Sequence, residues 1–307
     1  MKRKKSSRFE IWFSLGFLFT LVVAFGTFFL GLNMGITRTE AKYLNFKASV
    51  LQMETDASYS QQDLVTFYYV AFEPYQQFKE EFLELNDWLK RSDNSLSAAK
   101  ALKDAQASAK AQYELIASYS VSDASPLLEQ AQSDILKSLK LFEEGIGRNL
   151  SFIGGETGPK LVSKLSQDEF TVNAIDYGLK AQSKFYASIM KWNAKSDKSI
   201  PDSYSFRNDT TVAQWQAFTL SQKNKAVTDI MLNGKLYVSY LPQDMTAKID
   251  QMINSGKASA LKLNSVASIV KILTETEAVQ SKEFIKWRST YYASELLPLL
   301  PFFGEDY

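Results

Sequence analysis

The chain has 307 residues, 45% of them hydrophobic, with 35 basic against 34 acidic side chains and a formal net charge of +1. So even a balance excludes a nucleic-acid footprint, which shows as a basic patch or stripe. With no histidine and no cysteine, Ser-His-Asp and Cys-His nucleophiles, ordinary zinc sites and disulfides are excluded, leaving catalysis to carboxylates, Lys, Tyr or Ser-Lys pairs.

Residues 1–10, MKRKKSSRFE, are strongly basic, and the positive-inside rule keeps such a tail in the cytoplasm. From Ile11 to Thr37 no residue is charged. A helix of that length extends about 40 Å at 1.5 Å per residue, enough to cross a hydrocarbon core of about 30 Å. A cleavable signal peptide has an apolar core of only about 7–15 residues and then a small-x-small site. Thr37-Arg38-Thr39-Glu40-Ala41 offers no such site. The expectation is a retained signal-anchor over 11–36, single-pass in the cell membrane, with the bulk of the chain extracytoplasmic. Within it Thr27, Gly31 and Gly35 recur at four-residue spacing. That is a small-xxx-small face on which membrane helices touch backbone to backbone, and Asn33 beside it would add an interhelical hydrogen bond. The face is a candidate site for a partner membrane protein or a second copy of the chain.

Residues 37–60 are expected to form a juxtamembrane helix and 61–150 a first helical half. Leu64, Tyr68, Ala71, Tyr75, Phe78, Phe82, Leu85 and Leu89 step by alternating four and three, the seam of one long amphipathic or coiled-coil helix. Pro74 falls inside the seam without breaking its phase, so it is expected to kink the helix. The alanine-rich stretch Leu96–Tyr119 invites close approach by a neighbour. Ser125-Pro126 is a helix start, followed by a stripe through Leu128, Ala131, Ile135, Leu139, Phe142 and Ile146.

The segment from Gly145 to Gly158, GIGRNLSFIGGETG, holds five of the thirteen glycines and is read as the principal loop before a second half, 151–307. Its Gly154-Gly155 pair faintly resembles a phosphate cradle. Pro159 precedes the lysine and no strand leads in, so a flexible turn or a partner-binding loop is expected. Ser166-Gln-Asp-Glu169 reads as a capping box opening a helix. Another helix is expected over about 210–231, a short strand is allowed within Asn233–Pro242, and a last helical run starts near Gln243 with a bend at Gly256. The tail ends in Leu296, Leu297, Leu299, Leu300, Phe302 and Phe303, broken by Pro298 and Pro301. It either folds back onto the bundle or docks a partner or the membrane surface.

Four Ser-x-x-Lys pairs, Ser97/Lys100, Ser188/Lys191, Ser259/Lys262 and Ser268/Lys271, are about what chance supplies among 34 serines and 28 lysines. Trp88, Trp192, Trp215 and Trp287 sit in apolar helical patterns, where core packing outweighs sugar stacking. No cofactor or metal is implied: Glu80/Glu81/Glu84 and Glu143/Glu144 read as solvated faces. The lysine excess over 7 arginines and the absence of cysteine in an exported domain fit a Gram-positive bacterium. The sequence therefore predicts an all-α chain: one transmembrane helix and an elongated antiparallel bundle of six or seven helices, in one body or two sub-bundles. Its expected role is a non-catalytic scaffold or accessory subunit binding envelope or membrane proteins. The alternatives are a ligand sensor acting laterally on a membrane partner and, last, a Ser-Lys hydrolase.

Overall fold

The computed structural model describes residues 58–92, 95–150 and 156–304. The expected anchor with Thr27, Gly31, Asn33 and Gly35, most of the juxtamembrane segment, and the loop glycines Gly154 and Gly155 lie outside the described residues. No helix among those described is long and apolar enough to cross a membrane. The described residues belong to one compact unit, Asp56–Tyr307, and their regular structure is helix, joined by turns and loops, with no strand among them.

Helix α1, Gln61–Phe67, begins at a reciprocal cap: Ser60 Oγ accepts from Asp63 N and Asp63 Oδ2 from Ser60 N, each at 3.1 Å. A π turn, Tyr68–Phe72, joins it to α2, Glu73–Leu89. The cause is Pro74, which donates no hydrogen bond and whose ring would strike the carbonyl four residues back. The wider turn, closed by Glu73 N donating to Tyr68 O, relieves that clash. The expected seam is retained, and all eight of its members are buried. Helix α3, Ser95–Ala117, turns Ala98, Leu102, Ala105, Ala109 and Ile116 inward.

Helix α4, Pro126–Leu150, extends through Gly145 and Gly147, so the expected loop starts later than its glycines suggest. Gly145 lies against Thr171 and Asp168, where a Cβ would meet side-chain oxygens at 2.7 and 2.9 Å; the residue is small for packing, not for turning. Helix α5, Gly158–Gln167, precedes α6, Glu169–Ser196. Ser166 closes α5 rather than opening α6. Asp168 caps α6 instead, accepting from Thr171 N at 3.0 Å; a carboxylate there satisfies a free N–H and also complements the helix dipole.

The expected 210–231 helix is two: α7, Val212–Gln216, and α8, Leu220–Asn233. Each starts at a Thr-x-x-Gln box, Thr211/Gln214 and Thr219/Gln222. The allowed strand is absent; Lys235 takes a positive φ of 52° and Leu236 N returns to Met231 O at 2.8 Å. The last run is cut into α9, Pro242–Asn254, α10, Lys257–Ala260, α11, Val266–Glu275, and α12, Glu283–Tyr291. Gly256 makes the expected bend with φ +74°.

Helices α4 and α6 run in opposite directions as the central pair. Asp134 is paired with Lys184, and Ser138 Oγ donates to Ala174 O at 2.7 Å. On one side of α6, Phe185 meets Phe67 and Phe72 with ring centroids 4.9 and 4.6 Å apart. On another, Leu179 joins a second apolar cluster of Trp215, Val227, Met231, Met245, Ile249, Val266 and Ile269.

Candidate functional site

The polar clusters inside the unit are ties between helices. Asp250 on α9 is buried, and its Oδ1 accepts from Trp215 Nε1 at 2.7 Å and from Lys223 Nζ at 3.1 Å. Its Oδ2 accepts from the Tyr292 hydroxyl at 2.6 Å. That ring of donors joins α7, α8 and α9 to the segment after α12 and fills the carboxylate's acceptor sites. Asp244 holds α12 by accepting from Phe284 N at 3.0 Å, and it also accepts from Leu241 N at 3.1 Å. Burial, opposed by those backbone donors, pushes its carboxyl up to about 6.

A third cluster lies where α2, α4 and α6 meet the 234–241 turn. Ser138 gives its proton to Ala174 O, so at 2.9 Å it accepts from the Tyr75 hydroxyl, which accepts in turn from Tyr237 at 3.1 Å. Lys79, one turn beyond Tyr75, is buried with its ammonium 5.2 Å from the Tyr237 ring centroid. Burial pushes that ammonium down to about 8, against the opposing pull of the Glu80 charge, and pushes the Tyr75 hydroxyl up to about 12. Such shifts mark functional candidates, yet Gly178 closes directly on the Tyr75 hydroxyl, leaving no room for a methyl group.

Two of the Ser-x-x-Lys pairs are engaged with other partners. Ser188 donates to Lys184 O at 2.9 Å while Lys191 lies over the Tyr59 ring. Ser268 donates to Ser265 O at 2.7 Å, and Lys271 faces Glu275. Ser97/Lys100 and Ser259/Lys262 are exposed. Among the described residues no three acidic side chains gather as a metal site.

An open concave surface lies between α2 and α3. It measures about 410 Å³ and is lined by Glu81, Glu84, Leu85, Trp88, Ala101, Asp104 and Ala105. The two helices run in opposite directions, with Ser108 Oγ donating to Glu81 Oε2 at 2.5 Å. Ala101 and Ala105 leave the space, Leu85 supplies the floor, and Trp88, 39% exposed, forms one wall. Three carboxylates at the rim favour a cationic occupant, and an accessible indole adds a face for its charge. Apolar spacing alone places Trp88 in the core and the glutamates on a solvated face. The signal it passed over is the pair of alanines opposite an aromatic, which only the α2/α3 register brings together.

The other tryptophans differ: Trp215 is fully buried, Trp192 and Trp287 half-buried, and Trp287 stacks on Tyr291 at 5.3 Å. In the tail, Leu300, Phe302 and Phe303 are buried, Leu297 is half-buried, and Leu296 and Leu299 are exposed. Phe302 packs on Tyr68, Phe72, Phe185 and Tyr186. No family model, curated protein or solved structure matches the chain.

Proposed function

We propose that the protein is a non-catalytic scaffold or accessory subunit of a bacterial envelope complex. It is held by a single-pass signal-anchor at 11–36 with its N-terminus in the cytoplasm, and its helical bundle binds another envelope or membrane protein. The groove between α2 and α3 supports this reading. It is open, has an apolar floor and a half-exposed tryptophan, and is rimmed by Glu81, Glu84 and Asp104. Aromatic anchors in such settings dominate binding energies, and a helix or extended segment bearing basic residues fits the groove's charge.

The test is site-specific photo-cross-linking in cells with the reactive side chain at Trp88, and at exposed Leu261 as control. The expected result is an adduct with one envelope or membrane protein at position 88 alone, lost when Glu84→Lys and Asp104→Lys are added. Identical adducts at both positions, or none at 88 in a folded chain, overturn the reading.

A further inference from the structure

The chain passes into the described unit at Ser58, and four separate stretches converge there. The Lys195 ammonium reaches the Ser58 carbonyl, and Lys191 lies 5.6 Å from the centroid of the Tyr59 ring. Tyr59 N donates to Ser125 Oγ at 2.6 Å, and Leu299 N donates to Gln61 Oε1 at 3.0 Å. The C-terminal end of α3 comes to the same place, because Gln132 Nε2 near the start of α4 donates to Ile116 O and Tyr119 O at 3.0 and 2.8 Å.

This end collects four of the seven large apolar side chains exposed among the described residues: Leu115, Tyr119, Leu296 and Leu299, the last two 52% and 68% exposed. Trp88 and Leu96 lie at the other end of α2 and α3. Lys191 and Lys195 reach the same entry segment through Tyr59 and Ser58, Lys198 is exposed one turn further along the chain, and Asp123 and Asp197 are exposed as well. Attraction to anionic headgroups is therefore weak, and apolar insertion has to carry any contact. Exposed leucines flanked by tyrosine and lysine are the composition of an interfacial surface.

The occupant follows from the chain outside this unit. Twenty residues, 38–57, separate the apolar run from Ser58, and a chain of that length reaches at most about 70 Å. Those residues join the unit at this end, and so short a link holds this end at high effective concentration near whatever holds the apolar run.

We propose that the end of the unit bearing Leu296 and Leu299 is a membrane-contact face. The two leucines, with Tyr119 and Leu115 beside them, enter the interfacial zone of the bilayer that holds the Ile11–Thr37 run. Lys191, Lys195 and Lys198 lie at headgroup level. The inference rests on the anchor reading of that run. It also places the proposed groove, with Trp88 near the C-terminal end of α2, at the opposite end of the unit from these leucines.

Because the chain has no cysteine, single cysteines report cleanly. Leu21→Cys, Leu96→Cys, Leu296→Cys and Leu299→Cys, each in the full-length chain, are labelled with an environment-sensitive fluorophore and placed in nanodiscs with ordinary or acyl-brominated lipids. The expected result is at least twofold quenching by brominated lipid at positions 21, 296 and 299 and none at 96. Quenching at 21 without quenching at 296 and 299 overturns the membrane face and leaves the anchor standing. No quenching at 21 removes the anchor and the inference with it. Probes at 296 and 299 that are shielded from water but insensitive to bromine would show contact with a second copy instead, and would also overturn it.

Discussion

An ammonium at the Lys79 position gives up water and gains in return a ring face and the pull of the Glu80 charge. Burial of that kind disfavours the charged form, in the direction seen here, down to about 8 from an ordinary 10.5. Between those values the unfolded chain binds the proton that the folded chain releases. Stability from this group is therefore fully present above pH 10.5 and lost as pH falls through about 8. Tyr75 and Tyr237 limit the window from above, because both hydroxyls are held neutral beyond their ordinary value of 10.0. Denaturant midpoints are expected to rise from pH 8 to about 10. Lys79→Met removes that slope and raises stability at pH 7 by about 1–3 kcal/mol. A flat profile in the wild type, or a destabilised Lys79→Met, would show that Lys79 keeps its water.

Among the elements, α2 and α6 approach closely at Gly178. A Cβ there would collide with the Tyr75 hydroxyl and crowd its ring carbon at 2.8 Å. An isolated helix gains from Gly→Ala, by about 1 kcal/mol. Here Gly178→Ala is expected to cost about 1–3 kcal/mol through overpacking, and Tyr75→Phe to recover part of that loss. Thermal melts of the two single variants and the double variant measure the coupling; additive losses would mean that α6 shifts freely. The seam of α1 and α2, the α4 stripe and the Gly256 bend were legible in the sequence because apolar spacing and a single positive-φ glycine report directly on geometry. The ends were less so. Ser166 and Glu169 have the spacing of a capping box, but α5 runs on through Gln167, and Asp168 at the turn that follows caps α6 by accepting from Thr171 N. Apolar phase runs through Ala217 and Phe218 and hides the break between α7 and α8, which is fixed by polar residues, Thr219 and Gln222. The groove was illegible for a different reason. Its walls belong to two helices, and no spacing within either one discloses which alanine faces Trp88.

For the unit as a whole, the question is whether residues 61–150 and the helices after them unfold separately. Helix α6 argues against it, because it serves as a wall for both apolar clusters: Phe185 and Tyr186 meet Phe72 and Phe302, and Leu179 belongs with Trp215 and Met231. The tail adds a return tie, since Phe302, from the end of the chain, packs on Tyr68 near its start. Phe142 offers a clean probe, being buried on α4 against Phe78, Phe82 and Tyr237 and far along the chain from Trp215. Phe142→Ala removes a buried ring at a cost of about 3–5 kcal/mol. In a cooperative unit that loss moves every probe equally. Circular dichroism and the fluorescence of Trp215, isolated by Trp→Phe changes elsewhere, are expected to shift together in urea by the same midpoint difference. A Trp215 transition that stays in place while the helical signal splits in two would instead make α4 part of a domain that melts alone, with α6 dividing its loyalties at the Leu179 turn.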